Sequence, residues 1–203
     1  IHHDNIHYDY PIDEADSQFI EGYLADCGIA PEGRLLCIHP GAGTWVKRWD
    51  DHHWAQVADT LSEQLECTVV FTGGGHELPM IRNIINQMKN NACVMAGNTE
   101  IGQLAALYAR ALVVIGPDSG PMHLAAAVKT PTVSLFGPAD PLEFAPWGMR
   151  DQHYIITSDI GCRPCRVLDW GNDAPEFHPC VRDITTGRVL DAARRAVQAS
   201  NLG

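Results

Sequence analysis

The sequence predicts an α/β fold, a doubly wound parallel sheet with helices on both of its faces. Short runs of Val, Ile and Leu do not alternate with polar residues, which is typical of strands buried on both sides. Each run precedes a turn and a segment whose apolar residues recur with helical spacing. The runs start 19 to 33 residues apart, a distance that accommodates one strand and one helix. Right-handed crossovers between such units give parallel strands, as in Rossmann-like folds.

The individual elements follow in order along the sequence. Residues 1–13 are an extended lead-in, and helical spacing of apolar positions predicts a helix over 14–27 that Gly28 ends. Strands are then predicted at 35–39, 68–72, 93–95, 112–116, 132–137 and 153–157. The other helices are predicted at 51–66, 77–89, 101–110, 119–128 and 186–200. Residues 158–183 have no period and predict a long loop, functional or mobile.

The charge balance excludes two classes of partner. Lys and Arg total 14 and Asp and Glu total 25, which gives a formal charge of −11. Nucleic acids and anionic membranes are both bound by clustered cations, so neither is expected as a partner. No apolar run approaches the roughly 20 residues that span a bilayer. The sequence begins with Ile1 rather than Met, so we expect it to be part of a longer protein.

Cysteine usage predicts a reduced, intracellular protein, because the seven cysteines are odd in number and several lie in apolar segments. Cys37, Cys67 and Cys93 belong to such segments. We predict that these three are ordinary thiols in or near the core.

Three other cysteines form a separate cluster in the sequence. Cys162 and Cys165 make a C-x-x-C motif, and His178 and Cys180 follow it. These are the residue types of zinc ligands, but their spacing matches no standard zinc finger. Free thiols, a metal site and a disulfide therefore all remain open.

Four of the predicted loops at the carboxyl ends of the strands carry polar residues, and ligands of open parallel sheets bind at that edge. In the first loop, Gly41 and Gly43 allow the backbone to approach a phosphate closely, and Thr44 adds a hydroxyl. Lys47 and Arg48 are neighbouring cations. The pattern is neither a P-loop nor a dinucleotide fingerprint. A phosphate site is favoured over a plain turn with surface charges.

The second and third loops give weaker signals. Three glycines precede Glu77, whose carboxylate could accept two ribose hydroxyls or complement the dipole of the next helix. The sequence favours neither interpretation. In the third loop, Thr99 is expected to be the N-cap residue of the helix over 101–110.

The fourth loop gives the strongest signal. Asp118 or Ser119 is expected to cap the next helix, whose first turn offers N–H groups to a phosphate or a hydroxyl-rich ligand. Gly120 keeps the turn open, and His123 lies one turn further along. Because a cap alone does not require all four residue types, a binding site is predicted. The turn at 136–141 is expected to be structural.

Four segments occur in an order typical of one known family. They are H-P-G-A-G-T-W-V-K-R-W (39–49), G-G-G-H-E (73–77), P-D-S-G-P-M-H-L-A-A-A (117–127) and L-F-G-P-A-D-P (135–141). Together they resemble family 9 glycosyltransferases, the bacterial ADP-heptose:lipopolysaccharide heptosyltransferases, over about residues 35–200. The resemblance implies the C-terminal domain of a two-domain GT-B enzyme. Residues 31–203 would bind the nucleotide-sugar, residues 1–30 would be the interdomain linker and lead-in helix, and the N-terminal acceptor domain would be absent.

The resemblance also implies roles for single residues. Lys47 and Asp118 would be catalytic: Lys47 would lie with Thr44 at the donor diphosphate and offset charge on the leaving nucleotide, and Asp118 would contact the sugar hydroxyls. Glu77 matches a position that holds the ribose, and Thr99 a position beside the adenine. A last group is expected at the phosphates: Ser119, Gly120 and His123.

The function implied by this resemblance is the inverting transfer of heptose from ADP-heptose to a lipopolysaccharide core acceptor. A carboxylate of the N-terminal domain would be the general base. No metal or other cofactor is expected, because Lys47 and a helix N-terminus can stabilise the diphosphate. The expected location is cytoplasmic, with peripheral attachment to the inner face of the cytoplasmic membrane left open. Two alternatives remain: a non-catalytic nucleotide-binding module, or another GT-B enzyme that uses a UDP-sugar. The isolated chain is expected to bind donor without turnover.

Overall fold

Six strands form one parallel sheet, as the sequence predicts. The computed structural model describes residues 9–148, 152–168 and 179–200. The strands are β1 (Leu35–Ile38), β2 (Thr68–Phe71), β3 (Ala92–Val94), β4 (Ala111–Pro117), β5 (Thr132–Phe136) and β6 (His153–Thr157). The helices are α1 (Glu14–Asp26), α2 (Asp51–Leu65), α3 (Leu78–Ile85), α4 (Ile101–Arg110), α5 (Gly120–Ala127), α6 (Pro141–Phe144), α7 (Pro179–Arg182) and α8 (Thr186–Ser200). The strand order is β3-β2-β1-β4-β5-β6.

Helices cover both faces of the sheet, because successive strand residues point in opposite directions. Leu36 and Ile38 of β1 join a core that includes residues of α2, α3 and α8. Leu35 and Cys37 join a second core that includes residues of α1, α4 and α5. The absence of polar residues from β1 therefore reflects burial on both of its sides, as predicted.

The helices differ from the prediction at two places. The helix expected over 77–89 is shorter, because a 3₁₀ turn at Gly75–Glu77 precedes it and it ends at Ile85. The sequence does not predict α6 or α7, since four residues are too few to show a helical period. Helix α7 lies in the segment 158–183 expected to be a loop, of which residues 169–178 fall outside the described residues.

The turn at 136–141 is structural, as predicted. Asp140 accepts a 3.0 Å hydrogen bond from the Leu142 N–H and so caps α6. The Arg166 guanidinium donates a 2.8 Å hydrogen bond to the same carboxylate, and this contact lowers the pKa of Asp140. The residues of the turn thus fix the chain that leaves β5.

Strand β1 lies at the centre of the sheet, between β2 and β4. Its last residue, Ile38, is paired with Phe71 on one side and with Ile115 on the other. The sheet grows outward from β1 through β2 and β3, and then continues from β4 on the opposite side. The loops after β1, β2 and β4 therefore leave the same edge at the switch point, where ligands of this fold class bind.

A disulfide joins the end of α1 to the sheet, and it makes the prediction of a fully reduced protein wrong. Cys27 is bonded to Cys93 on β3, with the two Cα atoms 6.0 Å apart. Cys93 is therefore not a free core thiol, whereas Cys37 and Cys67 are free. The bonded cysteines are 66 positions apart, so only the packing of α1 against the second core brings them together.

Candidate functional site

An ion pair joins the loop after β1 to the loop after β4. Lys47 Nζ lies 2.6 Å from Asp118 Oδ2 and donates a longer hydrogen bond, of 3.3 Å, to the Asp118 backbone carbonyl. Only 16% of the Lys47 side chain and 7% of the Asp118 side chain are exposed. Burial of this kind makes a charged hydrogen bond stronger than it would be in water. The structure thus brings the two predicted catalytic residues into direct contact.

The carboxylate of Glu77 fills the space beside Gly41. Glu77 is buried, and its Oε2 accepts a 2.7 Å hydrogen bond from the Gly74 N–H. A Cβ atom on Gly41 would lie only 1.7 Å from Glu77 Oε1. Residue 41 must therefore be glycine for this carboxylate to keep its place. This is an internal reason for the glycine, different from the approach of a phosphate that the sequence indicates.

Three buried side chains behind Glu77 form what we call the polar network: His39, Thr72 and Tyr108. Thr72 Oγ1 lies 3.1 Å from His39 Nδ1 and 3.0 Å from the Tyr108 hydroxyl. His39 Nε2 lies 3.9 Å from Glu77 Oε2. Burial lowers the pKa of His39 to about 4, although the nearby Glu77 carboxylate opposes this shift. The His39 ring is therefore neutral at neutral pH.

The polar network was not predicted from the sequence. His39 and Thr72 each follow directly after a strand, and this position is the signal that could have identified them. Tyr108 lies inside α4 and is fully buried. Nothing in the local sequence distinguishes it from an ordinary core residue.

Thr44 has a hydroxyl that the described residues leave unsatisfied. Its Oγ1 is buried and makes no hydrogen bond with them. A buried hydroxyl without a hydrogen-bond partner lowers the stability of a protein by about 1–3 kcal/mol. A Cβ atom on the neighbouring Gly43 would meet nothing within 4 Å, so the loop faces open space there. A ligand oxygen in this space could satisfy Thr44.

Helix α5 begins without a cap from a described side chain. Ser119 occupies the N-cap position as expected, but its hydroxyl donates a 3.0 Å hydrogen bond to the Pro117 carbonyl. Asp118 is held in the ion pair instead. The prediction that one of these side chains caps the helix is therefore wrong, because both have other partners. Gly120 and His123 are exposed at the start of the helix, where its N–H groups emerge.

Thr99 is not the N-cap residue of α4, so that prediction is also wrong. The N-cap residue is Glu100, and its N–H donates a 2.9 Å hydrogen bond to Gln103 Oε1. The helix begins at the predicted residue, and the cap is the position immediately before it. The third loop is held to the second by a 2.8 Å hydrogen bond from the Gly97 N–H to the Gly73 carbonyl.

The structure brings the predicted site residues into two contacts. Glu77 meets Gly41, and Lys47 meets Asp118. The remaining predicted residues lie in these loops, in the loop after β3 or at the start of α5, and none of their side chains is seen to hydrogen-bond to these four among the described residues; they are Gly43, Thr44, Thr99, Ser119, Gly120 and His123. Their binding roles stay predictions.

The cysteine cluster holds free thiols in this structure. No disulfide joins Cys162, Cys165 or Cys180. Burial raises the pKa of the Cys180 thiol, and the two nearby cysteines add to this shift. His178 lies outside the described residues. The sequence left free thiols, a metal site and a disulfide open for these cysteines, and the structure shows no disulfide among them.

A cleft of about 530 Å³ opens beside the first loop, and the sequence does not predict it. Its walls include Trp45, Arg48 and Arg182. Asp50 and His52 also line the cleft, and together with the neighbouring His53 they place possible metal-ligand atoms within 4.8 Å of one another.

Asp50 already pairs with the Arg182 guanidinium at 3.1 Å. A cation so close to the carboxylate opposes metal binding. We therefore infer no metal site at this cleft.

Fold and site together define the class of protein: a Rossmann-like α/β domain of the kind found in GT-B glycosyltransferases. A solved glycosyltransferase of family 9 from Veillonella parvula has a TM-score of 0.80 and 26% identity, over 94% of this chain and 54% of that one. The structure of E. coli ADP-heptose lipopolysaccharide heptosyltransferase II has a TM-score of 0.75 and 24% identity, over 95% of this chain and 54% of that one.

The chain belongs to glycosyltransferase family 9 (heptosyltransferase), whose sequence model matches residues 3–170. Lipooligosaccharide heptosyltransferase 2 of Haemophilus influenzae is 35% identical over 180 residues, which are 86% of this chain and 51% of that protein. The resemblance indicated by the four sequence segments is thereby confirmed. The chain spans about half the length of the curated relatives it matches. None of the described helices is both long and apolar enough to cross a membrane.

Proposed function

We propose that this chain is the donor-binding part of a heptosyltransferase of lipopolysaccharide biosynthesis. Family membership supports heptosyl transfer. The observation that carries the assignment is the largely buried ion pair of Lys47 and Asp118 at the switch point of the sheet. The E. coli structural neighbour has ADP-heptose in its name, so ADP-heptose is the donor that we propose.

The donor diphosphate would bind to Lys47. An ammonium group has three N–H donors, and Asp118 accepts two hydrogen bonds from it. The third N–H remains for a phosphate oxygen. The unsatisfied Thr44 hydroxyl lies in the same loop, and the exposed first turn of α5 offers further N–H donors. These groups are fixed in place before the donor arrives, so they stabilise anionic charge without reorganising.

The sugar and the nucleoside would bind to the two buried carboxylates. Asp118 Oδ2 is taken by Lys47, and Oδ1 is left for hydroxyls of the transferred sugar. Glu77 Oε2 is taken by the Gly74 N–H, and Oε1 is left for the ribose. Thr99 would lie beside the adenine, in the loop next to that of Glu77.

The proposed reaction is an inverting transfer. The acceptor hydroxyl attacks the anomeric carbon from the face opposite the diphosphate, and the bond between that carbon and the diphosphate oxygen breaks. The electron pair goes to the diphosphate, where Lys47 offsets the developing charge. The hydroxyl proton passes to a carboxylate that the family resemblance places in an N-terminal domain. We propose a lipopolysaccharide core acceptor bound by that domain, and a cytoplasmic location.

Calorimetric titration of the chain with ADP tests this proposal. We expect binding, and a melting temperature that rises with ADP concentration. Lys47→Ala should weaken ADP binding about 10- to 100-fold, because a charge-assisted hydrogen bond contributes about 1.5–3 kcal/mol. Lys89→Ala is the matched control, since Lys89 is an exposed lysine outside the proposed site.

Three outcomes would contradict the proposal. If millimolar ADP produces neither heat nor a thermal shift, the chain is not the donor-binding part. If Lys47→Ala and Lys89→Ala bind ADP equally well, Lys47 is not at the diphosphate. If UDP or GDP binds more tightly than ADP, the donor is a different nucleotide-sugar. Asp118→Asn, which keeps the shape of the side chain, separates loss of binding from loss of folding.

A further inference from the structure

The polar network extends from the core of the protein to Glu77. Tyr108 is fully buried, and its hydroxyl meets Thr72 Oγ1, which meets His39 Nδ1. The other ring nitrogen of His39 faces the Glu77 carboxylate. We propose that the network positions Glu77 to accept a hydroxyl of the nucleotide ribose. This inference rests on the proposed function, and it adds three positioning residues that do not contact the ligand.

The direction of the hydrogen bonds follows from the donors available. Among the described residues, Thr72 Oγ1 is the only hydrogen-bond partner of the Tyr108 hydroxyl. Burial also raises the pKa of Tyr108, so the phenol stays protonated and donates a hydrogen bond to Thr72. The Thr72 hydroxyl then donates a hydrogen bond to His39 Nδ1. That nitrogen is bare, so the single proton of the neutral ring lies on Nε2.

The opposite direction is unfavourable at both ends of the network. If His39 Nδ1 carried the proton, the Thr72 oxygen could accept from both neighbours, but its own proton would then have no acceptor among the described residues. If the Thr72 hydroxyl donated to Tyr108 instead, the buried phenol would have no acceptor. In addition, the bare His39 Nε2 would point its lone pair at the Glu77 carboxylate, 3.9 Å away. The structure therefore selects one tautomer of His39.

This tautomer determines which carboxylate oxygen is left for a ligand. Glu77 Oε2 accepts from the Gly74 N–H and faces the N–H of His39. Glu77 Oε1 lies beside Gly41, away from these two donors, and the Nε2 of the exposed His76 side chain is 3.9 Å from it. The neutral His39 ring orients the carboxylate through its N–H. A charged ring would attract the carboxylate more strongly and would compete with the ribose hydroxyl for it. A ribose hydroxyl can then donate to Oε1.

Nuclear magnetic resonance tests the tautomer directly. In long-range proton–nitrogen spectra of the whole chain, we expect His39 to show a protonated Nε2 and a bare Nδ1. Thr72→Val removes the hydroxyl and should shift His39 towards the other tautomer, whereas Thr72→Ser keeps the hydroxyl and should restore the original spectrum. A protonated Nδ1 in the unaltered protein would overturn the proposal.

Nucleotide binding tests the consequence for Glu77. Thr72→Val should weaken ADP binding about tenfold, the effect of losing one oriented hydrogen bond. The same variant should bind 2′,3′-dideoxy-ADP as the unaltered protein does, since that analogue has no hydroxyl for Glu77. Thr60→Val, on α2, is the matched control, because among the described residues its hydroxyl bonds only to a carbonyl of the same helix. Equal weakening of both nucleotides would mean a structural effect and would refute the positioning role.

The two proposals fail in different ways. If the unaltered protein binds no ADP, the donor-binding function is refuted, and the tautomer of His39 still tests the direction of the network. If ADP binds but Thr72→Val leaves the preference for ADP over its dideoxy analogue unchanged, only the positioning role is refuted.

Discussion

At the residue scale, the candidate site depends on two close contacts between parts of the chain that are distant in sequence. Lys47 and Asp118 are 71 positions apart and meet at 2.6 Å with little exposure to water. Glu77 meets Gly41 at a distance that excludes any side chain there. A charged group in each contact is partly desolvated, so its position depends on its partner. Removing or crowding a partner should therefore affect binding and stability together.

Gly41→Ala should displace the Glu77 carboxylate, because the new methyl group would lie 1.7 Å from Oε1. We expect the free energy of unfolding to fall by about 1–3 kcal/mol and ADP binding to weaken about tenfold. Urea unfolding and calorimetry measure the two effects.

The matched control for that variant is Gly43→Ala, two residues along the same loop. Its methyl group would meet nothing within 4 Å, so its unfolding free energy should stay within about 0.5 kcal/mol of the original. If the two alanine variants were equally stable, Gly41 would not be constrained by Glu77.

At the element scale, helix ends determine how the loops leave the sheet layers. Helix α1 is followed by Gly28, with a φ of 76°, which is the usual residue for a left-handed end. Helix α2 ends instead with Glu66 at a φ of 49°, and the Glu66 N–H still bonds to the Ser62 carbonyl. A residue with a Cβ atom is strained in this conformation. The backbone at the end of α2 therefore has a conformation that is unfavourable for Glu66.

Glu66→Gly should raise the free energy of unfolding by about 1 kcal/mol, because glycine adopts the left-handed region without strain. Thermal or urea unfolding measures the change. Gln56→Gly, at an exposed position inside the same helix, is the matched control and should lower the unfolding free energy by about 0.5–1 kcal/mol. A loss of stability in both variants would show that Glu66 contributes more than its conformation costs.

At the scale of the whole molecule, the order of the strands places titratable groups inside a mostly apolar structure. His39 ends up at the centre of the sheet edge, where burial lowers its pKa from 6.5 to about 4. The unfolded chain therefore binds a proton between these pH values and the folded protein does not. Stability should be complete above about pH 6.5 and should decrease as the pH falls towards 4.

His39 alone should contribute about 3 kcal/mol to this loss of stability, from about 1.4 kcal/mol for each pH unit of the shift. His39→Gln removes the titrating group, so its unfolding free energy should depend less on pH between 4 and 6.5. Urea unfolding over this range measures the slope. His76→Gln, with a side chain 79% exposed, should keep the original slope. Equal slopes for the His39 variant and the unaltered protein would contradict the prediction.

Local sequence patterns were sufficient to predict the α/β class, all six strands and the loops in which the candidate site lies. Apolar runs without alternation and helical periods are local patterns, so they can be recognised from neighbouring residues alone. The glycine-rich segments after the strands also identified the sheet edge. The N-cap residues were harder to assign, because Ser119 and Thr99 are suitable caps by residue type but the helix start and the competing partners decide.

The contacts between distant residues became visible only in the folded structure. The Lys47–Asp118 pair, the disulfide of Cys27 with Cys93 and the burial of Tyr108 beside Thr72 each join segments separated by at least 36 positions. Such contacts depend on the strand order and on the packing of α1 and α4, which no local pattern encodes. The strength and the direction of a buried hydrogen bond depend on every partner around it, and these partners come from several segments of the chain.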